Sequence, residues 1–209
     1  MKHFVSLESG DHLSREEFEY RYAQCTHIKK AELVEGVVYV ASPVRYEFHG
    51  LPHVQLATWL GVYQSATPGV FAADNVTVRL DAKNEVQPDL LLRWDEAQGG
   101  QSRISPDNYI EGAPELIAEI ASSSAAYDLH DKKDVYRRCG VKEYLVWVAS
   151  EQIFYWFCLE NQVYFREMPD AQGIIKSRVF PGLWLNVPAL LNGQLQTVLE
   201  TLQAGLSNR

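Results

Sequence analysis

Hydrophobic and polar positions repeat with two different periods along this chain, and the switches between them outline its elements. Ser14 to Cys25 places Phe18, Tyr22 and Cys25 at helical spacing, behind a Ser14 N-cap and a Glu17 that completes a capping-box pattern. Ala31 to Ser42, AELVEGVVYVAS, reads as a β-hairpin. Leu33–Val34 and Val37–Val40 flank Glu35-Gly36, where Gly36 can take positive φ, and Pro43 ends the second strand. Pro52 to Gln64 returns to the helical period, with Leu56, Leu60 and Tyr63 on one face and Pro52 suited to a first turn. Short strands are predicted over Val70–Ala73 and Val76–Leu80, with a turn at Asp74-Asn75 between them.

Val86 to Arg93, VQPDLLLR, is nearly continuous in apolar residues and predicts a strand buried on both faces, with Asp89 near its start. Trp94 to Asn108 is polar and Gly-rich and reads as a loop. Leu116 to Ala121 is the next buried strand, followed by the polar run Ser122–Ser124 and a helix over about Asp128 to Cys139 that ends at Gly140. Glu143–Ala149 is a further strand, and Gln152–Leu159 with Gln162–Glu167 resembles a hairpin turning at Glu160-Asn161. Ser177–Phe180 is predicted as an edge strand, and Leu185 to Leu202 contains a last helix beginning after Pro188. No linker or repeat divides the chain. The order predicts one mixed α/β domain over residues 1–209, with a central sheet flanked by helices and the Asp128–Cys139 helix crossing between two core strands.

Composition narrows the function. Apolar residues make up 46%, enough for a packed core. No run reaches membrane-spanning length, and the opening segment MKHFVSLESGDHLS lacks the apolar centre of a signal peptide, so the expectation is a cytoplasmic protein without a membrane partner. Cys25, Cys139 and Cys158 lie far apart, which suits reduced thiols rather than disulfides or a zinc site. A net charge of −8 argues against avid, non-specific binding to nucleic acid but leaves room for a small basic groove or a carboxylate-built metal site.

Two charges stand where the pattern wants apolar side chains. Glu119 interrupts the buried run ELIAEI, and a buried carboxylate is costly unless something pairs with it or uses it. On the following helix, at about 100° per residue from Leu129, Lys132 falls at about 300°, among Val135, Tyr136 and Cys139, whereas Lys133 falls at about 40°. Lys132 can also pair with Asp128 at i, i+4 or extend its ammonium to water, and Glu119 can be an edge or interface acid. With Asp89 on a neighbouring buried strand, however, two acids and a lysine make a set that a hard cation, Mg²⁺ or Mn²⁺, can use.

The succession QPDLLL, PELIAEI, a lysine on the next helix, Tyr136 and GVKEYLVW resembles the PD-(D/E)XK nuclease superfamily, and within it a bacterial family of restriction-endonuclease-like proteins. ELVEGVVYVASP resembles that family's opening hairpin, and His53 its histidine before the second helix. The resemblance covers Glu32 to Trp147 and, more loosely, the whole chain. It implies a restriction-endonuclease-like α/β fold with an N-terminal hairpin and a metal-dependent endonuclease acting on nucleic acid, DNA ahead of RNA, as a homodimer. Asp89 and Glu119 would be metal ligands together with the carbonyl of Ile120, and Lys132 the catalytic lysine with Lys133 in reserve. Glu32, Gln87, Asp128 and Tyr136 would line the site. The sequence departs from the simple motif at Ala121, where the superfamily usually has its lysine.

A second reading is a dimeric binding or regulatory module with a vestigial site, and a third is a sugar hydrolase built on a carboxylate pair. His49 and His53 have i, i+4 spacing, but Pro52 lies between them and no third zinc ligand suggests itself. Ser122–Ser124 lacks nucleophile-elbow glycines. The aromatics from Tyr144 to Phe157 suit a core or a dimer interface better than base stacking.

Overall fold

Ser14 starts the first helix as its sequence predicts. Its hydroxyl accepts the Glu17 N–H at 3.3 Å and caps α1 (Arg15–Gln24), which buries Phe18. The structure, a computed structural model, describes residues 6–121 and 125–209. The first five residues of the opening segment and the run Ser122–Ser124 lie outside the described residues. β1 (Ala31–Val34) and β2 (Val37–Val40) form the expected hairpin. Its turn needs positive φ at both Glu35 (55°) and Gly36 (77°), the mark of a primed two-residue turn, so Glu35 is also in the left-handed region.

α2 (Leu51–Ala66) buries Leu56, Trp59, Leu60 and Tyr63 and runs longer than predicted. It is entered through a π-helical turn, Tyr46–Gly50, just before Pro52, which has no N–H to continue an α-helical ladder. β3 (Val70–Asp74) and β4 (Val78–Arg79) follow, but Asp74-Asn75 is not a hairpin turn, because the two strands belong to different sheets. The predicted strand Val86–Arg93 is likewise two, β5 (Glu85–Val86) and β6 (Leu90–Trp94). Pro88 cannot donate to a ladder, and the chain changes sheets across Gln87-Pro88-Asp89. The polar stretch after Trp94 is not all loop: it holds a 3₁₀ turn, Glu96–Gln98, and β7 (Arg103–Ile104), which pairs with β8 (Ile110–Glu111).

β9 (Leu116–Ala121) is buried throughout. The crossover that follows joins α3 (Ala125–Tyr127), a π-helical turn at Asp128–Lys132 and α4 (Lys133–Cys139), with Gly140 left-handed at its end. It leads to β10 (Glu143–Val148), which pairs parallel to β9. β11 (Ile153–Glu160) and β12 (Val163–Arg166) turn at Asn161-Gln162, one residue later than predicted. Ser177–Phe180 is not a strand: it connects the small hairpin of β13 (Ile174–Lys176) and β14 (Trp184–Asn186). The last helix is two, α5 (Val187–Leu191) and α6 (Leu195–Ser207), parted at Gly193.

The expected central sheet therefore comes as two six-stranded mixed sheets, β2-β1-β5-β4-β8-β7 and β12-β11-β10-β9-β6-β3. One face of the second sheet packs on α2, α5 and α6. The other packs against α4 and the first sheet, with Ile117, Val146 and Tyr144 meeting Val34, Val78 and Tyr136. That is why β6, β9 and β10 read as nearly unbroken apolar runs. Tyr144, Trp147, Phe154, Trp156 and Phe157 are buried in these cores and Tyr155 is half-buried, so this aromatic run is packing. All three cysteines are free, Cys25 and Cys158 buried and Cys139 half-buried. Among the described residues, no helix is long and apolar enough to cross a membrane.

α6 approaches the β14 hairpin through Gly205. A methyl group there would press on the Gly182 carbonyl oxygen and stand 2.7 Å from the Trp184 ring. Gly205→Ala is expected to cost about 1–3 kcal/mol. Thermal melting should show a fall of roughly 2–4 °C per kcal/mol. An unchanged midpoint would mean that α6 can move away freely.

Candidate active site

The break at Pro88 and the ladder between β6 and β9 place two acids side by side. Leu90 pairs with Ala118, so Asp89 stands just beyond the β6 end of the ladder, next to Glu119 on β9. The Asp89 N–H donates to Glu119 Oε2 at 3.3 Å, and the Ile120 N–H donates to Asp89 Oδ2 at 2.9 Å. Both acids are at most 4% exposed.

Lys132 enters from the end of the π-helical turn. Its Nζ lies 2.7 Å from Glu119 Oε1, 3.0 Å from both oxygens of Glu32 and 4.0 Å from Asp128 Oδ1. Tyr136 donates its hydroxyl to Glu119 Oε1 at 2.9 Å. The wide turn departs from the 100° count, yet Lys132 still meets the acids. Lys133 does not: its ammonium lies over the Phe157 ring, 4.1 Å from the centroid, beside a separate groove. Glu32, on β1, also accepts the N–H of Gln87, in the segment that joins the two sheets, at 2.8 Å. Gln87 contributes that N–H, while its side chain turns to Tyr22 and Thr77. Asp128 lines the same cavity, and its carbonyl accepts the Tyr144 hydroxyl at 3.0 Å.

Three further residues at the site had not been assigned to it from sequence. Lys30 Nζ lies 2.9 Å from Asp89 Oδ1 and 2.9 Å from Asn75 Oδ1. His49 Nε2 lies 3.1 Å from Asp89 Oδ2, and His53 Nε2 lies 3.1 Å from the Asp89 carbonyl and 3.2 Å from Asp74 Oδ1. The two imidazoles stack, with centroids 5.8 Å apart. Their i, i+4 spacing was the available signal. Lys30 had none, since a lysine before a hairpin looks like any solvated charge.

The environment drives the two acids in opposite directions. Burial pushes Glu119 up, opposed by Lys132 and reinforced by the Asp89 and Glu32 charges, to about 7. Burial also works against ionised Asp89, but the hydrogen bond to His49, the Lys30 charge and the Ile120 N–H outweigh it and hold this carboxyl well below the ordinary range. Burial disfavours the Lys132 ammonium, yet Glu119, Glu32 and Asp128 keep it well above the ordinary lysine range. Burial opposes Lys30 too, and Asp89, Glu119 and Glu32 raise it. Paired titratable groups displaced in opposite directions are typical of working sites.

These groups line a cavity of about 240 Å³. Four carboxylates (Glu32, Asp89, Glu119 and Asp128) face two ammonium groups (Lys30 and Lys132), so with all six ionised the carboxylates outnumber the ammonium groups by two. Ile120 and Tyr127 line the same space, and the Tyr127 hydroxyl is buried without a hydrogen-bond partner among the described residues. Among the described residues, no three His, Cys, Asp or Glu side chains are gathered at metal-ligand spacing. One or two carboxylates with water complete the shell Mg²⁺ prefers, and an all-oxygen set with two surplus negative charges fits such an ion.

Two mixed sheets flanked by helices, with Glu119 on β9 beside Asp89 and a lysine delivered by the crossover helix, match the restriction-endonuclease-like fold that the sequence resemblance implies. The chain belongs to the Uma2 family, whose model, described as "putative restriction endonuclease", matches residues 15–188. Among solved structures it is similar to the crystal structure of "a putative nuclease belonging to DUF820" from Anabaena variabilis ATCC 29413, with a TM-score of 0.60 at 13% identity. The alignment covers 78% of this chain and 89% of that one, and at this identity the likeness is one of fold. No curated protein matches the chain.

Proposed function

We propose that this protein is a metal-dependent nuclease that hydrolyses phosphodiester bonds in nucleic acid, DNA ahead of RNA. The observation that carries this reading is the buried triad: Asp89 just before β6, Glu119 on the neighbouring β9, and Lys132 2.7 Å from Glu119. Asp89 and Glu119, with the Ile120 carbonyl, would hold Mg²⁺ or Mn²⁺. When bound, such an ion polarises a phosphoryl oxygen and lowers the pKa of an attacking water.

The chain's own groups do the rest. Lys132, fixed between Glu119 and Glu32, supplies a preorganised positive charge where negative charge develops on phosphorus. Tyr136 and Lys132 hold Glu119 Oε1, which orients Oε2 toward Asp89. Without a divalent cation the surplus acids repel a phosphodiester, so the electrostatics of the cavity support metal dependence.

The test is cleavage of single- and double-stranded DNA and RNA by the full chain with Mg²⁺ or Mn²⁺. Wild type should cut at least one substrate, chelator should stop it, and Glu119→Ala should be inactive. Well-folded wild type that cuts none of the four would overturn the reading.

A further inference from the structure

The two lysines of the site are built differently. Lys132 is 3% exposed and bonds Glu119 and Glu32 from the crossover in the core, so moving it would take the bonded ammonium from two buried carboxylates. Lys30 has a side chain 26% exposed, sits just before β1 and touches one acid of the site, Asp89, at Oδ1. Its other contact is the amide oxygen of Asn75. The second oxygen of Asp89 is tied to the fold by His49 and the Ile120 N–H. Asp89 Oδ1 is therefore the carboxylate position that opens when a single surface-reaching side chain swings outward.

We infer that Lys30 is the exchangeable cation of this site: it neutralises Asp89 in the metal-free protein and yields Oδ1 to the divalent ion. The inference rests on the proposed metal-dependent reading and adds a named competitor to it. The charge balance agrees. With Lys30 in place, the ionised cavity carries two surplus negative charges; with Lys30 out and one divalent cation in, it carries one. Metal entry thus requires a rearranged state, and metal affinity is reduced by the fraction of molecules in that state.

The experiment is calorimetric titration of the full chain with Mn²⁺, comparing wild type with Lys30→Gln, Lys30→Arg and Asn75→Gly. If the open state is populated to roughly a tenth, Lys30→Gln should bind Mn²⁺ about tenfold more tightly than wild type. Lys30→Arg keeps the competing charge and should stay within about twofold of wild type. Asn75→Gly removes the second anchor of Lys30 without straining a residue at φ 50° and should tighten binding by a smaller factor. The Asn75 backbone N–H, which donates to the Asp89 carbonyl at 3.3 Å, is kept by glycine, and the deleted side chain touches none of the proposed metal ligands, so the variant tests the exchange even if Lys30→Gln fails to fold. Melting supplies an independent readout: Lys30→Gln should melt below wild type without metal, and saturating Mn²⁺ should close the gap. Unchanged or weaker Mn²⁺ binding in both Lys30→Gln and Asn75→Gly, with wild type binding normally, would overturn the exchange and leave the metal site standing. Absence of Mn²⁺ binding in wild type and every variant would overturn both. Binding by Lys30→Gln alone would support the exchange in its strongest form.

Discussion

Lys132→Met is expected to destabilise the protein by about 3–5 kcal/mol, the usual result of removing one partner from a buried ion cluster. Methionine fills the lysine's volume, so the loss reports charge rather than a cavity. Lys132 is the cation bonded to Glu119, it also bonds Glu32, and it lies 4.0 Å from Asp128. The pH dependence has a definite sign. A carboxyl whose folded pKa is raised is favourable to folding while protonated, and its contribution is lost as pH rises from the unfolded value through the folded one. For Glu119 that window runs from the ordinary glutamate value of 4.5 to about 7 in wild type. Removing Lys132 removes the main force opposing this rise, so the variant's unfolding free energy should fall more steeply between pH 5 and pH 8 than that of wild type. Denaturant melts at both ends of that range measure it. A loss below about 1 kcal/mol would assign Lys132 to an exposed, screened pair and contradict its burial.

Asp89→Asn is expected to weaken Mn²⁺ binding and metal-dependent cleavage at least about 10²-fold. The amide offers one acceptor oxygen where the carboxylate meets Lys30, His49 and the Ile120 N–H, and its NH₂ faces donors. Stability should change as well, with the opposite sign to Glu119. Asp89 is held well below its ordinary pKa, so its ionised form contributes stability above about pH 4 that is lost as pH falls through the folded value. The gap between wild type and Asp89→Asn should therefore be full at pH 6–7 and close on acidification below about pH 4. Calorimetry and acid-unfolding curves measure the two effects separately. Retained Mn²⁺ affinity in a folded variant would remove Asp89 from the ligand set.

These tests converge on a small volume that much of the primary structure already pointed to. Glu119 was visible as an acid in an apolar run, and Asp89 as an acid near the start of another, to which the family resemblance gave a role. Lys132 was separated from Lys133 by its place on the helical face, and the structure brings Lys132 to the acids while Lys133 turns to Phe157. Ala121 stays in the strand, and the crossover helix brings a lysine to Glu119 from 13 residues along the chain. Among the assigned lining residues, Glu32, Asp128 and Tyr136 reach the cluster with side chains, whereas Gln87 reaches it through its backbone.

By itself, then, the sequence determined the apolar strands, the capped helices, the hairpins and the buried charges that need partners. Each is dictated by periodicity, by proline and glycine stereochemistry, or by the cost of desolvating a charge, all of which act over a few residues. The division into two sheets, the π-helical turns and the presence of Lys30 and His49 at Asp89 were decided by tertiary structure. Lys30 and Asp89 are 59 positions apart, and His49 and Asp89 are 40 apart. Such pairs form because the sheet switch at Pro88 turns the start of β6 toward the hairpin and the entry of α2. An ammonium that looks solvated in the chain becomes part of an ion cluster only when packing brings a buried carboxylate to it.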